Sequence, residues 1–140
     1  MKKLKKLLVA LLAATLMVSA LPLSASAAAI ENEVMPLWDN ANHISYGISF
    51  QDGDYGYADS YVLGKFGVTN ISIDTYIYCL INGDWVYVTE THGSVQSNSL
   101  NTECTFSATY GYTYRADYTF TITKNGVDEI IEKSDTQTYS

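Results

Sequence analysis

The chain has 140 residues, 13% of them aromatic and 16% charged, with 15 acidic residues against 8 basic ones. Abundant aromatic and β-branched side chains let such a chain bury a core, which excludes disorder driven by charge. The net charge of −7 argues against nucleic acid and anionic membrane surfaces as partners, because both call for a cationic patch.

The chain begins with Lys2, Lys3, Lys5 and Lys6, continues as an apolar run from Leu7 to Leu21, and reaches Ala25-Ser26-Ala27. A basic start, a short apolar stretch and a small-x-small site have the layout of a secretory signal peptide covering residues 1–27. The run is short for a membrane span, and no later segment is apolar enough to be one, so the expected location is outside the cell. Cleavage after Ala27 leaves 113 residues, enough for one domain. In that remainder Lys65, Arg115, Lys124 and Lys133 face all fifteen acids, a net charge of −11.

Residues 28–42 are mixed and contain Met35-Pro36-Leu37-Trp38. Pro36 cannot donate to a ladder, so this is an N-terminal arm or edge strand, with Trp38 as the anchor onto the body. The domain proper is expected over 43–140. Ile44, Tyr46, Ile48 and Phe50 alternate with Ser45, Gly47, Ser49 and Gln51, the period of a half-buried strand. Asp52-Gly53-Asp54 is a turn, and Tyr57 to Lys65 is a second strand with Ala58, Ser60 and Val62 on one side.

Ile71 to Glu90 reads as two strands joined at Asn82-Gly83, a dipeptide suited to a type I′ hairpin turn. A two-residue turn sets Leu80 opposite Trp85, Cys79 opposite Val86 and Tyr78 opposite Tyr87. One face is then aliphatic, with Ile71, Ile73, Ile77, Cys79, Ile81, Val86 and Val88. The other is aromatic, with Tyr76, Tyr78, Leu80, Trp85 and Tyr87. A bulge at Asp84 would slip the register and mix the sets. Gly93 to Asn101 is rich in Ser and Asn and is expected as a loop, followed by a strand from Glu103 to Tyr110. Tyr112, Tyr114, Ala116, Tyr118, Phe120 and Ile122 alternate with polar residues in the cleanest strand of the chain. Asn125-Gly126 turns it into a last strand from Val127 towards Thr138.

About seven strands at roughly ten-residue spacing predict an all-β fold, an antiparallel β-sandwich of immunoglobulin-like architecture, with a small barrel as second choice. Cys79 and Cys104 both fall in inward sets, and an even cysteine count in an exported chain predicts a disulfide between them. The other reading is two small buried hydrophobes. The order Cys79, Trp85, Cys104 does not fit the cysteine–tryptophan pattern of true immunoglobulin domains.

Motifs for chemistry are sparse. Asp52-Gly53-Asp54 lacks the further acidic positions of a calcium loop and reads as a turn. His43 and His92 are the only histidines, and no zinc-ligand spacing exists. Asp84, Glu103, Asp117, Asp128, Glu129, Glu132 and Asp135 sit at turns or outward positions and do not suggest the two facing carboxylates of a glycosidase. No metal, no cofactor and no enzymatic activity are expected.

Several short features stand together: Met35-Pro36-Leu37-Trp38 near the start, the strand from Ile44 to Phe50, Leu80 five residues before Trp85, Gly111 followed by Tyr114-Arg115, and a last acidic strand with Glu132 and Ser134. In these the chain resembles the small exported single-domain β-proteins of Gram-positive anaerobes, a group without an established function. The resemblance implies a sandwich and export, and carries no catalytic residues.

The functional expectation is an extracellular binding or interaction module, with glycan or protein as partner and Tyr76, Tyr78, Trp85 and Tyr87 as its surface. The alternatives are a structural or envelope-associated protein without a small ligand and, less favoured, a small hydrolase. The binding reading depends on Trp85. A large side chain in a small domain belongs most often in the core, and burial of Trp85 beneath a second sheet would remove the platform.

Overall fold

The structure, a computed structural model, describes residues 37–140. The expected signal peptide, most of the arm and Met35-Pro36 lie outside the described residues. Seven strands follow in chain order: β1 (Ala41–Gln51), β2 (Tyr55–Gly64), β3 (Val68–Ile81), β4 (Asp84–Val95), β5 (Ser99–Ser107), β6 (Thr113–Lys124) and β7 (Val127–Thr138). They form a three-stranded sheet in the order β1-β2-β5 and a four-stranded sheet in the order β4-β3-β6-β7. All neighbours are antiparallel. The two sheets pack as a β-sandwich, and the chain does not close into the small barrel held as second choice.

Turn chemistry sets the connections. Asn82 and Gly83 take φ of 53° and 91°, and Asn125 and Gly126 take 53° and 74°, both turns having positive φ at their two central residues as a type I′ turn requires. The first turn pairs Ile81 with Asp84 and Leu80 with Trp85, as the pattern predicts. It also keeps β4 in the sheet of β3. In the immunoglobulin constant arrangement the fourth strand lies beside the fifth, and a two-residue turn has no slack for that crossing.

The core lies between the sheets. Ile71, Ile73, Thr75, Ile77 and Cys79 of β3 and Tyr114, Ala116, Tyr118, Phe120 and Ile122 of β6 are all buried, against Ile44, Ala58, Val62, Cys104 and Phe106 of the other sheet. Every second residue of these two strands points inward, the period of two expected from the sequence. The edge strand β1 is less covered. Tyr46 stays partly exposed while its ring rests 5.3 Å from that of Tyr118.

Polar contacts close the sandwich at its ends and edge. The Tyr118 hydroxyl donates to Gly47 O across the sheets (3.0 Å), and the Ile48 N–H donates to the Asp135 carboxylate (2.8 Å). Tyr114, near the start of β6, accepts the Thr109 N–H on its hydroxyl (2.8 Å). This is the tyrosine corner found in many β-sandwiches. Trp38 packs on the core as expected of an anchor. The described part of the arm is held further by Glu129, which accepts the Asp39 and Asn40 N–H groups (2.7 and 2.6 Å), and by Asn40 Nδ2 donating to Ile122 O (2.9 Å).

Several expectations are corrected. The stretch Gly93 to Asn101 is mostly strand: β4 runs to Val95 and β5 starts at Ser99, because β3 and β2 offer the backbone of this Ser- and Asn-rich stretch ladder partners. β5 accordingly ends at Ser107 instead of Tyr110, and β2 begins at Tyr55 instead of Tyr57. Cys79 and Cys104 are free thiols, not a disulfide. They face the core from opposite sheets but at different levels. The β5 residue packed on Tyr114, the cross-strand partner of Cys79, is Phe106, with ring centroids 5.2 Å apart. Cys104 lies one inward position further along, paired with Ala58. A disulfide needs Cα atoms about 4.4–6.8 Å apart, and the large Phe106 and Tyr114 rings occupy the level where the bridge would form.

Two outcomes follow from this packing. Alkylation after unfolding in denaturant should label two thiols per chain, while the native protein should resist labelling because both cysteines are buried; a single resistant cystine in the unfolded chain would restore the bridge. Thr75 is fully buried and its hydroxyl has no hydrogen-bond partner. Thr75→Val should therefore raise stability by about 1 kcal/mol in denaturant unfolding, since it removes an unsatisfied buried group at similar volume. A loss of stability would contradict the packing described.

Candidate functional site

The candidate site is the outer face of the four-stranded sheet, and strand alternation builds it. On β3, the residues between the core-facing ones are Ser72, Asp74, Tyr76, Tyr78 and Leu80, all half-buried. Tyr87 lies opposite Tyr78 and Trp85 opposite Leu80. Trp85 is 36% exposed and Tyr87 53%. Trp85 is therefore on the open face, not beneath the second sheet. The four residues expected from the sequence, Tyr76, Tyr78, Trp85 and Tyr87, share one solvent-facing surface of a sheet whose other surface is the core.

The register then departs from a simple hairpin. A bulge between Ile77 and Tyr78 places Ile77 opposite Thr89, leaving Val88 as the extra residue on β4. The slip falls after Tyr87 and not at Asp84. It therefore leaves the aromatic set together and turns Glu90 and His92 to the same outer face, opposite Tyr76 and Asp74.

The rings are held by polar neighbours. The Arg115 guanidinium lies 4.7 Å from the Trp85 ring centroid and 5.0 Å from that of Tyr78, a double cation–π contact. Its Nη2 donates to Asp117 (3.0 Å), and its Nε is enclosed without a hydrogen-bond partner. Tyr78 meets Tyr87 edge-on at 6.2 Å. Tyr76 meets the His92 ring edge-on at 5.7 Å. His92 is spanned by two carboxylates, with Nδ1 2.7 Å from Asp74 and Nε2 3.2 Å from Glu90. Those hydrogen bonds, Asp74 first and then Glu90, raise its pKa above the ordinary histidine value. Because each carboxylate takes a different ring nitrogen, the three do not converge on a point where a metal ion could sit. Among the described residues no group of three or more His, Cys, Asp or Glu side chains is placed to hold a metal.

Beside the rings, a shallow groove of about 350 Å³ runs between β6 and β7, lined by Asp117, Tyr118, Thr119, Glu132, Lys133 and Ser134. Sequence reasoning placed these acids on outward positions but did not connect them with the rings. The link is the β3–β6 register, which sets Asp117 beside Tyr76 and Arg115 beside Tyr78, and no single strand carries that information.

Other candidates fall elsewhere. Asp52-Gly53-Asp54 forms the β1–β2 turn, with positive φ at Gly53 and Asp54, and the Asp54 carbonyl accepts the Ala108 N–H (2.8 Å). His43 is on β1, in the other sheet from His92, with its ring 6.1 Å from Tyr61. A groove of about 460 Å³ on the three-stranded sheet is lined by Ser45, Tyr46, Gly47, Ser49, Asp59, Ser60, Tyr61 and Asn101. Asp59 is paired directly opposite Glu103, and partial desolvation together with that neighbouring charge raises its pKa.

No family model matches the chain, and no curated protein matches it. Three solved structures show a low similarity to it. A Parabacteroides merdae β-glucuronidase is 9% identical with a TM-score of 0.42, over 67% of this chain and 13% of the glucuronidase. Spo0M, a sporulation control protein from Bacillus subtilis, is 11% identical with a TM-score of 0.40, over 68% of this chain and 48% of Spo0M. A protein from Archaeoglobus fulgidus is 10% identical with a TM-score of 0.36, over 71% of this chain and 98% of that one. The chain thus spans a small fraction of the glucuronidase and about half of Spo0M.

The His92 cluster makes a measurable statement about pH. A histidine whose folded pKa is raised adds stability that is fully present below its unfolded value of about 6.5 and is lost as pH rises through the folded pKa. The His92 ring resonance should titrate with a midpoint above 6.5 by NMR, and Asp74→Asn should move that midpoint down. A midpoint at or below 6.5 in the unsubstituted protein would show that the two carboxylates do not hold the ring in solution.

Proposed function

We propose that the protein is an extracellular binding module that takes a glycan on the outer face of its four-stranded sheet. The observation that carries this reading is the row of Tyr76, Tyr78, Trp85 and Tyr87 on a solvent-facing surface of a rigid sheet. Flat rings stack on the apolar faces of sugar rings, and tyrosine hydroxyls add polar contacts at little entropy cost. The cation–π contacts of Arg115 fix two of the rings before a ligand arrives, which lowers the ordering cost of binding. Export is supported by the Lys-rich start, the apolar run and Ala25-Ser26-Ala27. A protein ligand on the same face is the second form of this reading.

A structural or envelope-associated protein without a small ligand calls for outer faces of Ser, Thr and acids, and the row of rings speaks against it. The hydrolase reading would have to rest on Asp117 and Glu132, which line the β6–β7 groove from adjacent strands, or on Asp59 and Glu103, adjacent across β2 and β5. Acids on adjacent strands of an open sheet do not flank a bound bond from two sides as glycoside hydrolysis requires.

Trp85→Ala separates a surface role from a core role. The variant should keep its melting temperature within a few degrees and lose retention on insoluble glycan in a pull-down. Phe120→Ala, which empties a fully buried position, should cost about 3–5 kcal/mol. A Trp85→Ala protein as unstable as the Phe120 variant, or one retained as before, would overturn the reading.

A further inference from the structure

The charges around the rings say which glycans the face can take. Arg115 is the cation nearest the ring row, and it is already committed: two rings cover its guanidinium and Asp117 takes its Nη2. His92 lies between Asp74 and Glu90. Lys133 borders the adjoining groove, but in the β6–β7 register it is paired with core-facing Tyr118 and belongs to the inward set of β7. Each cation on the outer face is thus paired with a carboxylate, while Glu132 lines the groove with no ion pair among the described residues.

A ligand arriving here meets aromatic rings and an excess of hydrogen-bond acceptors. Resting on the glycan reading above, we infer that the face selects an uncharged polysaccharide, whose sugar rings stack on Trp85, Tyr87 and Tyr76 while its hydroxyls donate to Asp117 and Glu132. An acidic polymer would bring its carboxylates or sulfates against these acids without a free cation to receive them, and like charges in juxtaposition oppose binding. A cationic polymer would be drawn to the acids, but by a Coulomb attraction that salt screens, whereas stacking and hydroxyl donation to carboxylates persist in salt.

Native gel electrophoresis of the exported chain through gels containing a soluble polymer tests this. The gels hold mixed-linkage β-glucan, galactomannan or xylan as neutral polymers, polygalacturonate as an acidic one and chitosan as a cationic one. At least one neutral polymer should retard the protein, at low salt and at about 0.5 M salt alike, and Trp85→Ala should run free. Polygalacturonate should leave it free. Glu132→Gln, an exposed change on β7, should weaken retardation by the neutral polymer about tenfold, the scale of one hydrogen bond to a charged acceptor, without moving the melting temperature. Retardation by polygalacturonate, or by chitosan alone and only at low salt, would overturn the selectivity. If Trp85→Ala abolished that retardation, the binding face itself would stand. Unchanged affinity in Glu132→Gln would remove the acceptor role. No retardation in any gel would overturn both the selectivity and the glycan reading.

Discussion

Strand β3 is paired on both sides, with β4 along one edge and β6 along the other, and its two faces have opposite surroundings. Ile71, Ile73, Thr75, Ile77 and Cys79 enter the core, while Ser72, Asp74, Tyr76, Tyr78 and Leu80 face out. A strand in this position cannot slip. Moving it by one residue would carry aliphatic side chains to solvent and place Asp74 and the tyrosines in the core. The hairpin turn at Asn82-Gly83, the cover supplied by the three-stranded sheet and the ring row on the outer face all take their position from this one constraint.

What closes the sandwich around that strand is largely polar. Tyr118 reaches from the core to the backbone of β1, and Asp135 receives an N–H from the same strand. Glu129 and Asn40 tie the entering chain to β7 and β6. Burial pushes the Tyr118 phenol well above its usual range, so it remains a donor throughout ordinary pH. These contacts act where the sheets meet at an edge and where the chain enters, positions at which apolar burial is thin. Close approach of backbones has a similar local effect. A Cβ on Gly93 would come within 2.5 Å of the Thr102 methyl, so a larger residue there would force the edges of β4 and β5 to shift.

The outer face combines apolar and charged groups at short range. Arg115 spreads over Trp85 and Tyr78, and the bulge at Val88 turns Glu90 and His92 towards the same surface. Without the bulge, β4 would present the residues of the other parity beyond Tyr87, and the imidazole would not lie between Asp74 and Glu90. A local irregularity on an edge strand therefore determines the electrostatic character of the face. It also interrupts the regular edge that a long apolar strand would otherwise offer to other chains.

Strand periodicity, the two Asn-Gly turns and the pairing near Asn82-Gly83 were legible in the sequence, because period-two alternation and positive-φ turn residues act within a few neighbouring positions. The all-β class and the inward aliphatic set Ile71, Ile73, Ile77 and Cys79 followed from the same local rules. Ile81, Val86 and Val88, expected on that face, are instead exposed beyond the cover of the second sheet, and Val88 is the extra residue of the bulge. Other features depended on partners far along the chain. Whether Trp85 was core or surface turned on which face of β3 the second sheet covers, and nothing within the hairpin decides that. The Ser- and Asn-rich stretch after Gly93 became strand because β3 and β2 offered it ladders. Cys79 and Cys104 share an inward facing, yet their levels in the sandwich are set by how β3 and β5 register against different neighbours, and this kept the thiols apart. Arg115 joined the rings, and Asp117 joined Tyr76, only through the pairing of β3 with β6, strands more than thirty residues apart in the chain. Alternation determines which way a side chain points, whereas its neighbours come from sheet order and register, which are properties of the assembled fold.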